Sequence, residues 1–557
     1  MKRLILPLVV IACLYGCIRD EFVLNENIQI DNLDPSFALP LGSANINLGK
    51  AEEAFDSDDF VYNEGDQTFA IIYREELFNI TASEMISTVP AEFQASHALS
   101  ASESTTANLT PAGSTYSYGS SESISFPTTQ GEELDSITFN AGTIDIDFSS
   151  EVPASQTITF TIPGLTLNGN VFEESVILIY SGSLPMTETA SFDLTGYSLD
   201  LTDGGTTTNT IEMDIEVEAT SSGETTSEGM LTNLNVTLNL EEFGSIWGYF
   251  GQVELAALEN VQQVDVYGDL TEGVLHFEEP SIHFTVTNSS GVPVDIMFSS
   301  VYAPANSAAQ TITGADLSNV PIIAAADLPG ETAITEHAVT NDGTSPTIST
   351  MLDEGPFELI YNSTSTINPE GPQQNFVLDS SKVTCSAELM LPFFGYADDF
   401  SFQDTTDLDL EESLGFGPDD VLTEDDIEQV TIRMIADNGL PIQIGLQAYF
   451  TDTMFNVLDS LFIPGTQNIF EPGFIDFGLD ENHPDFGKVT QPTRQIVDFT
   501  ITGKQVSDLM DQNSKKLIFR AVGITSNAPD EVVKFFPEYN MAIKLSAKVD
   551  TNIDLTE

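Results

Sequence analysis

Four carboxylates on one alternating segment are the residues best placed to do chemistry in this sequence. From Ile211 to Ala219, apolar residues alternate with acids at Glu212, Asp214, Glu216 and Glu218. Side chains two residues apart share one face of a β-strand, roughly 6.5 to 7 Å from each other. A shorter segment of the same kind carries Asp145 and Asp147. Calcium binds six to eight oxygen ligands, so two adjacent rows of this type could begin to form a cation site.

The same acids can instead form a solvated face that holds no ion. Repulsion along such a row is usually offset by Lys or Arg on neighbouring strands, but the 307 residues between Arg74 and Lys382 contain neither. Water and dissolved cations must then screen the charge, unless a basic residue from the C-terminal third folds back. Because flat strands rarely wrap an ion, the solvated face is the favoured interpretation, and Ca²⁺ is the cofactor that the alternative requires.

Catalytic chemistry has little support in the residues. The chain has no His-Glu-x-x-His zinc motif, no Gly-x-Ser-x-Gly elbow and no phosphate-binding glycine loop. His276 and His283 lie beside acidic residues, but their spacing matches no common zinc site. Cys385 lies in an apparent strand and is expected to be a small core residue. We therefore predict no enzymatic activity.

The other chemically distinctive residue is Cys17, which follows an export signal. Lys2 and Arg3 supply positive charge, Leu4 to Leu14 form a short apolar run, and a glycine precedes Cys17. The run is shorter than the roughly 20 apolar residues that span a bilayer. Residues 1–16 are therefore predicted to be a signal peptide that is removed.

The segment Leu14-Tyr15-Gly16-Cys17 resembles the lipobox of bacterial lipoproteins. That resemblance implies lipidation of Cys17 by diacylglycerol, further acylation with chains such as palmitate, and anchoring in the outer membrane. Several acyl chains, at about 0.8 kcal/mol per buried CH2 group, give stable anchoring. Arg19-Asp20-Glu21 is similar to the charged signal that sends lipoproteins of Bacteroidetes-type bacteria to the cell surface. Surface exposure is favoured over the inner leaflet.

The charge of the chain excludes one class of partner. There are 16 Lys and Arg against 87 Asp and Glu, for a formal charge of -71. Phosphate backbones attract proteins through Lys and Arg, so no nucleic-acid site is expected. The acidity fits either adaptation to salty water or a functional surface that gathers cations or basic partners. Only Cys17 and Cys385 remain after cleavage, and the first is committed to lipid, so no intrachain disulfide is available.

Apolar and polar residues alternate with a period of two through most of the chain, which predicts a mainly all-β protein. Antiparallel sheets with one wet and one buried face, separated by Gly, Pro, Asn and Ser clusters, are typical of β-sandwiches. A small N-terminal helical element is predicted at 74–87 and a second helix at 503–513. The Ser-, Thr- and Gly-rich stretch 96–130 is typical of a linker.

Internal similarity sets the expected domains. Ile282 to Phe298 and Ile432 to Phe450 each run strand, Asn/Gly turn, proline, strand, and Ile144 to Pro163 is a looser copy. Tandem modules are therefore predicted, after a lipid-anchored tether and N-terminal subdomain at 17–95 and the linker, at 131–270, 271–415 and 416–557.

These turn segments, together with Trp247-Gly248-Tyr249-Phe250-Gly251, are similar to uncharacterised surface lipoproteins of Bacteroidetes-type bacteria with immunoglobulin-like β-sandwich modules. The resemblance brings no catalytic residues. We expect a non-enzymatic binding or assembly module, held to the membrane by its N-terminal lipid, with a protein or glycan as partner. The alternatives are a glycan- or nutrient-capturing lipoprotein, for which Trp247 is the one aromatic hint, and a secreted hydrolase, which needs a deep pocket with perturbed acids.

Overall fold

Most of the chain is antiparallel β-strand in the computed structural model. The structure describes residues 32–33, 36–47, 60–63, 68–86, 91–128, 131–267, 270–304, 310–312, 317, 319–341, 347–407, 427–462, 467–480, 483, 485–512 and 514–554. The alternation from Ile211 to Ala219 buries one face as predicted, because none of its five apolar side chains is more than 2% exposed. The prediction of antiparallel β-sandwich modules is confirmed.

The elements follow one another in this order along the chain. The strands are β1 (Asn32–Leu33), β2 (Ser36–Asn47), β3 (Phe60–Asn63), β4 (Thr68–Thr81), β5 (Ala91–Ala98), β6 (Thr115–Ser125), β7 (Glu133–Ser150), β8 (Ala154–Leu167), β9 (Asn170–Leu178), β10 (Met186–Asp193), β11 (Ser198–Asp200), β12 (Thr210–Ser221), β13 (Leu231–Tyr249), β14 (Val253–Glu254), β15 (Leu258–Gln263), β16 (Leu270–Phe277), β17 (Ser281–Asn288), β18 (Val294–Ala303), β19 (Gln310–Ile312), β20 (Ala333–Val339), β21 (Glu358–Ile367), β22 (Asn375–Leu378), β23 (Lys382–Pro392), β24 (Phe394–Asp407), β25 (Ile427–Asn438), β26 (Ile442–Thr451), β27 (Val457–Ser460), β28 (Gln467–Phe470), β29 (Phe474–Ile475), β30 (Val489–Gln491), β31 (Thr493–Thr502), β32 (Lys516–Thr525), β33 (Val533–Lys534), β34 (Asn540–Thr551) and β35 (Ile553–Asp554). The helices are α1 (Ala82–Met85), α2 (Ala101–Leu109), α3 (Ile348–Leu352) and α4 (Gly503–Asp511).

Strand pairing divides the described residues into three two-sheet modules. Module A (91–250) has sheets in the order β5-β13-β7-β10 and β6-β12-β8-β9, and short β11 pairs with both β7 and β8. Module B (60–86, 253–267 and 281–392) has β4-β23-β17-β20, edged by β3, and β14/β15-β21-β18-β19. Module C (36–47, 270–277 and 394–554) has β2-β34-β25-β31 and β24-β32-β26-β27, edged by β16.

The three modules share one strand order. When the eight principal strands of each are numbered along the chain, one sheet reads 1-8-3-6 and the other 2-7-4-5. This is the order of a double-sheet jelly roll. An immunoglobulin domain instead orders its strands ABED in one sheet and CFG in the other. The three modules are therefore β-sandwiches, but their connectivity is not the immunoglobulin-like one that the resemblance implied.

The modules are nested and are not in tandem. Module B is inserted between strands 1 and 2 of module C, and module A is inserted between strands 1 and 2 of module B. The predicted bounds 131–270, 271–415 and 416–557 are therefore wrong, and so is the N-terminal subdomain at 17–95, whose described strands belong to all three modules. The predicted bounds failed because strands that are distant in sequence pair with each other. Strand β2, for example, pairs with β34 near the opposite end of the chain.

The stretch 96–130 is not a linker. It contains α2, which is capped by hydrogen bonds between Ser100 and Glu103, and β6, which pairs with β12 along its whole length. Tyr116 and Tyr118 of β6 are buried in the core. The composition that suggested a linker reflects the outer face of β6, which consists largely of serine.

Both predicted helices are present, but the first is much shorter than the predicted range. Residues 503–511 form α4, with Val506 and Leu509 buried. Residues 74–81 are instead the end of β4, and α1 covers only Ala82–Met85. A β-bulge opposite Cys385 and Ser386 in β23 buries both Leu77 and Phe78, which breaks the period of two and imitates helical spacing. No helix among the described residues is long and apolar enough to cross a membrane.

The predicted repeat is an arch that carries the chain from one sheet of a module to the other. In modules B and C it follows Asn288 and Asn438, which are completely buried. Asn288 donates to the Val292 carbonyl (2.8 Å) and accepts from the Ser290 amide (2.9 Å). Asn438 makes the matching bonds with Ile442 and Leu440 (both 2.9 Å).

In module A, Ser150 takes the same place and accepts from the Val152 amide.

Strand directions give each module two distinct ends. In module C, Ser36 at the start of β2 lies opposite Asp550, near the end of β34, and this is the terminal end. The other end, where Asn438 lies opposite Met541, is the arch end. Module B leaves and rejoins module C at the arch end, and module A leaves and rejoins module B in the same way.

Contacts at the two junctions fit this head-to-tail order. The Phe393 amide donates to the Phe69 carbonyl within module B, and its own carbonyl accepts from the Phe535 amide of module C (3.0 Å). Between modules A and B, β22 pairs with β13, and the Trp247 ring lies 5.2 Å from Phe376. Among the described strands, none pairs module A with module C.

We expect Asn438→Ala to lower the free energy of unfolding by about 3 kcal/mol, because the carbonyls of Ile442 and Glu471 and the amide of Leu440 lose their hydrogen-bond partner. Urea denaturation followed by circular dichroism measures the change. Asn235→Ala, at an exposed position of β13, is the matched control and should stay within about 0.5 kcal/mol of the wild type. A loss below about 1 kcal/mol for Asn438→Ala would contradict a role of this side chain in holding the arch.

Candidate functional site

The carboxylate row lies on an outer face of module A. Each acid of β12 points away from the core, and β6 and β8 flank the strand on its two sides. Glu216 and Glu218 are exposed, whereas Glu212 and Asp214 are partly covered. The sequence therefore placed these four residues correctly on one wet face.

Hydroxyl groups border this row on both sides. Glu218 lies between Ser117 and Thr157 across the two neighbouring strands, and Asp214 lies between Ser121 and Thr161. The Ser121 hydroxyl donates to the Asp214 carboxylate. Neutral donors thus stand where Lys or Arg usually offset the repulsion between strands.

Asp145 and Asp147 lie on β7, on the outer face of the opposite sheet. Asp145 accepts from the Ser191 hydroxyl (2.5 Å) and from the Asn239 amide (2.6 Å). Asp147 is exposed and lies between Asn235 and Thr189 of the two neighbouring strands. This second face, like the first, has no lysine or arginine beside its acids.

The two rows are not brought together. Phe148 of β7 and Phe160 of β8 touch across the core, with ring centroids 5.7 Å apart, so β7 and β12 belong to opposite layers. The adjacent rows that a shared calcium site requires are therefore absent. Among the described residues, no three His, Cys, Asp or Glu side chains are grouped so that they could hold a metal ion.

The hydroxyl rows were missed at the sequence level, although their signal is present. Within 115–125, Thr115, Ser117, Ser121, Ser123 and Ser125 all fall on one face of a strand, and 157–161 alternates Thr with apolar residues. Only the strand register shows that both flank β12. Together these residues form a broad hydrogen-bonding surface of hydroxyls and carboxylates without a lysine or arginine.

A shallow pocket of about 430 Å³ lies on the outer face of module B. A cross-strand row of Arg74, Glu388 and His283 lines it. The Arg74 Nε donates to Glu388 (2.8 Å), and the His283 Nε2 and the Ser281 hydroxyl share a hydrogen bond (2.9 Å). The pocket offers both signs of charge to a small polar molecule.

His276 joins modules B and C. Its Nδ1 lies 2.7 Å from Asp353 of module B, its Nε2 lies 3.3 Å from Glu278, and its ring stacks on Tyr396 of module C. Burial acts to lower the pKa of His276, but the carboxylates of Asp353 and Glu278 more than offset it and raise the pKa. Both ring nitrogens are thus engaged in a structural junction.

Cys385 and Trp247 both pack against other side chains of the protein. Cys385 is fully buried in β23, and burial raises the pKa of its thiol to about 12, as expected of a core residue. Trp247 lies at the junction of modules A and B against Phe376, so the aromatic hint of a glycan site belongs to an internal contact. Cys17 lies outside the described residues.

No protein-family model and no curated protein matches the chain. In structure it is similar to a protein of Parabacteroides distasonis ATCC 8503 that is thought to be secreted, with 12% identity, coverage of 54% of this chain and 82% of that one, and a TM-score of 0.28. It is also similar to a chain of Sulfolobus Turreted Icosahedral Virus, with 11% identity, coverage of 80% and 92%, and a TM-score of 0.13. A third similar chain, from an archaeal virus with a triple jelly-roll fold and turret assembly, has 10% identity, coverage of 79% and 90%, and a TM-score of 0.11. These likenesses are slight, so strand order alone defines the fold.

We expect calcium chloride and sodium chloride at equal ionic strength to change the melting temperature equally. Neutral groups flank the carboxylates, so both salts should act only by screening the repulsion between the negative charges. Differential scanning calorimetry makes the comparison. A larger rise with millimolar calcium would indicate a cation site after all. Asp145→Asn and Asp214→Asn would then show which of the two faces binds the ion.

Proposed function

We propose that the protein is an outer-membrane lipoprotein, exposed at the cell surface, that acts as a non-enzymatic binding or assembly component. The observation that carries this proposal is the order in which the three nested modules follow one another from the N-terminus. The lipobox at Cys17 precedes the terminal end of module C, modules B and A follow from successive arch ends, and module A is therefore presented furthest from the lipid.

The attachment of the N-terminal strand supports a load-bearing role for module C. Strand β2 pairs with β34 over its whole length, and the Asp550 carboxylate accepts from Ser36 (2.5 Å) and Gln429 (2.9 Å). Lys548, together with these two partners, holds the pKa of Asp550 well below its usual range. A pull on the N-terminus is thus resisted by the hydrogen bonds that join the edge strand β2 to the inner strand β34.

The surfaces of modules A and B support the binding role. Module A offers two wide polar faces, and module B adds the pocket beside Arg74. Nearly all residues of both modules lie between Arg74 and Lys382, in the part of the sequence that has no Lys or Arg. Anionic headgroups repel such surfaces, which favours a protein or a glycan as partner and excludes nucleic acid.

The alternatives have weaker support. Glycan or nutrient capture is supported by the pocket of module B. It loses the support of Trp247, because that side chain packs against Phe376 at the junction of modules A and B. For a secreted hydrolase, the acids of module A lie on flat outer faces beside hydroxyl groups, and none of them lines the pocket of module B. Perturbed carboxylates in a cleft are the sign that such an enzyme requires.

Replacing Cys17 with serine is expected to abolish acylation and membrane retention, because the thiol is the atom that would carry the lipid. Mass spectrometry of the N-terminal peptide and membrane fractionation measure the two effects. Cys385→Ala, which changes the buried cysteine, should remain acylated and membrane-bound. Protease added to intact cells should digest the wild-type protein. A Cys17→Ser protein that stays acylated, or a chain protected from the protease, would contradict the proposal.

A further inference from the structure

Three of the four residues from Met454 to Val457, at the turn that leads from β26 into β27 in module C, are exposed and apolar. Met454 is 76% exposed, Phe455 53% and Val457 59%. Leu458 and Leu461, directly behind the turn, pack instead on the small core formed by Phe450 and Leu509. The apolar residues of the turn itself therefore point away from a packed base.

The turn is rigidly built. The Asp452 carboxylate accepts from the amides of Met454 (2.8 Å) and Asn456 (2.9 Å), and the Asn456 side chain donates to its other oxygen (2.8 Å). These bonds hold Phe455 in the left-handed region, with φ of 65°. A bulky residue in this conformation is strained, and such strain concentrates at functional sites.

The corresponding turn of module A has no such feature. Its connection between strands 4 and 5 uses Asn168 and Gly169, with φ of 52° and 82°, and these residue types tolerate positive φ. The jelly roll therefore does not itself require an aromatic residue at this turn. Phe455 is a departure specific to module C.

The turn lies at the terminal end of module C. Strand β26 starts beside the arch, and its last residue, Thr451, lies opposite Lys516 of β32. The same end contains Ser36, so it is the end at which the chain arrives from Cys17. The 14 residues from Ile18 to Asp31 span at most about 50 Å when fully extended. The acylated end of the chain thus limits the distance between this end of module C and the membrane to about 50 Å.

A single lysine ammonium lies beside the turn, and it also pairs with Asp407 (2.9 Å). The Lys516 ammonium lies 5.3 Å from the centre of the Phe455 ring, and Lys515 is its chain neighbour. Nine of the 16 Lys and Arg lie from Lys488 onward, all in module C. Aromatic and aliphatic side chains beside lysine are typical of segments that lie in the boundary between headgroups and acyl chains.

We infer that Met454, Phe455 and Val457 insert into the interface of the bilayer that holds the acyl chains of Cys17. This inference rests on the lipid anchor of the proposed function. Three side chains bind a membrane weakly when the protein is free in solution. The lipid makes the contact intramolecular and raises its effective concentration, so that module C stands on the bilayer through two attachments.

Phe455→Trp tests this contact in the acylated full chain. The substitution is made together with Trp247→Phe, so that one tryptophan remains, and the protein is inserted in phosphatidylethanolamine and phosphatidylglycerol vesicles. We expect a blue-shifted emission and at least twofold quenching when the lipids carry bromine near the headgroup end of the acyl chains. Ile177→Trp, at an exposed position of module A, is the matched control and should show neither effect.

Two further readings separate the ways in which the inference can fail. An acylated N-terminal peptide with an unshifted Trp at position 455 overturns the membrane contact and leaves the anchor intact. A blue shift without bromine quenching means burial against protein and also overturns it. A chain that is never acylated contradicts the proposed function and this inference with it.

A second variant separates the contact from folding. Phe455→Asn should keep or raise the melting temperature, since asparagine tolerates the left-handed conformation. In the unacylated Cys17→Ser protein, it should also lower vesicle association at high lipid concentration by at least twofold. Unchanged association would contradict the role of Phe455.

Discussion

Each module closes by pairing its first strand with its last, and this antiparallel pairing decides where every other part of the chain can lie. β2 pairs with β34, β4 with β23 and β5 with β13. The closing pair lies within a sheet, so both chain ends meet at the terminal end and the connection from strand 1 to strand 2 starts at the arch end. An insertion at that connection must extend from the arch end. Repeating the insertion twice gives a head-to-tail stack, with the N-terminus at its base.

The basic residues are also unevenly distributed along this stack of modules. All described lysines and arginines except Arg74 and Lys382 lie in module C, at the base of the stack. Module A has none, and its carboxylates are flanked by the hydroxyls of Ser121 and Thr161 or the amide of Asn239. Hydroxyl and amide groups donate to Asp214 and Asp145, and no lysine or arginine of module A offsets the negative charge of these faces. Under the proposed lipid anchor, this distribution keeps the acidic modules away from an anionic membrane surface.

How much the sequence predicts depends on how local each signal is. The alternation from Ile211 to Ala219 is local, and it identified a strand, its buried face and its acidic face. The repeat around Asn288 and Asn438 is also local, because the asparagine bonds to residues two and four positions ahead. A bulge at Leu77 was enough to turn the end of β4 into an apparent helix. Nesting has no local signal at all, since β2 resembles any other strand until its partner is known.

The candidate site shows the same limit. Its acids were found from spacing, but their neighbours depend on register, which places Ser121 and Thr161 beside Asp214 from distant parts of the chain. The turn at Phe455 had a readable cue, because Asp452 and Asn456 are turn residues that enclose an apolar pair. Its meaning appears only when the fold places it at the end where the chain arrives from Cys17.

The order of the modules above the membrane is the central claim, and energy transfer to labelled lipid tests it most directly. A donor dye is attached to a cysteine introduced at Ser183, at the arch end of module A, or at Gln512, at the terminal end of module C. The acylated protein is then inserted in vesicles with acceptor dye on their headgroups. The account predicts strong transfer from position 512 and weak transfer from position 183. Equal transfer from both, or stronger transfer from module A, would contradict it.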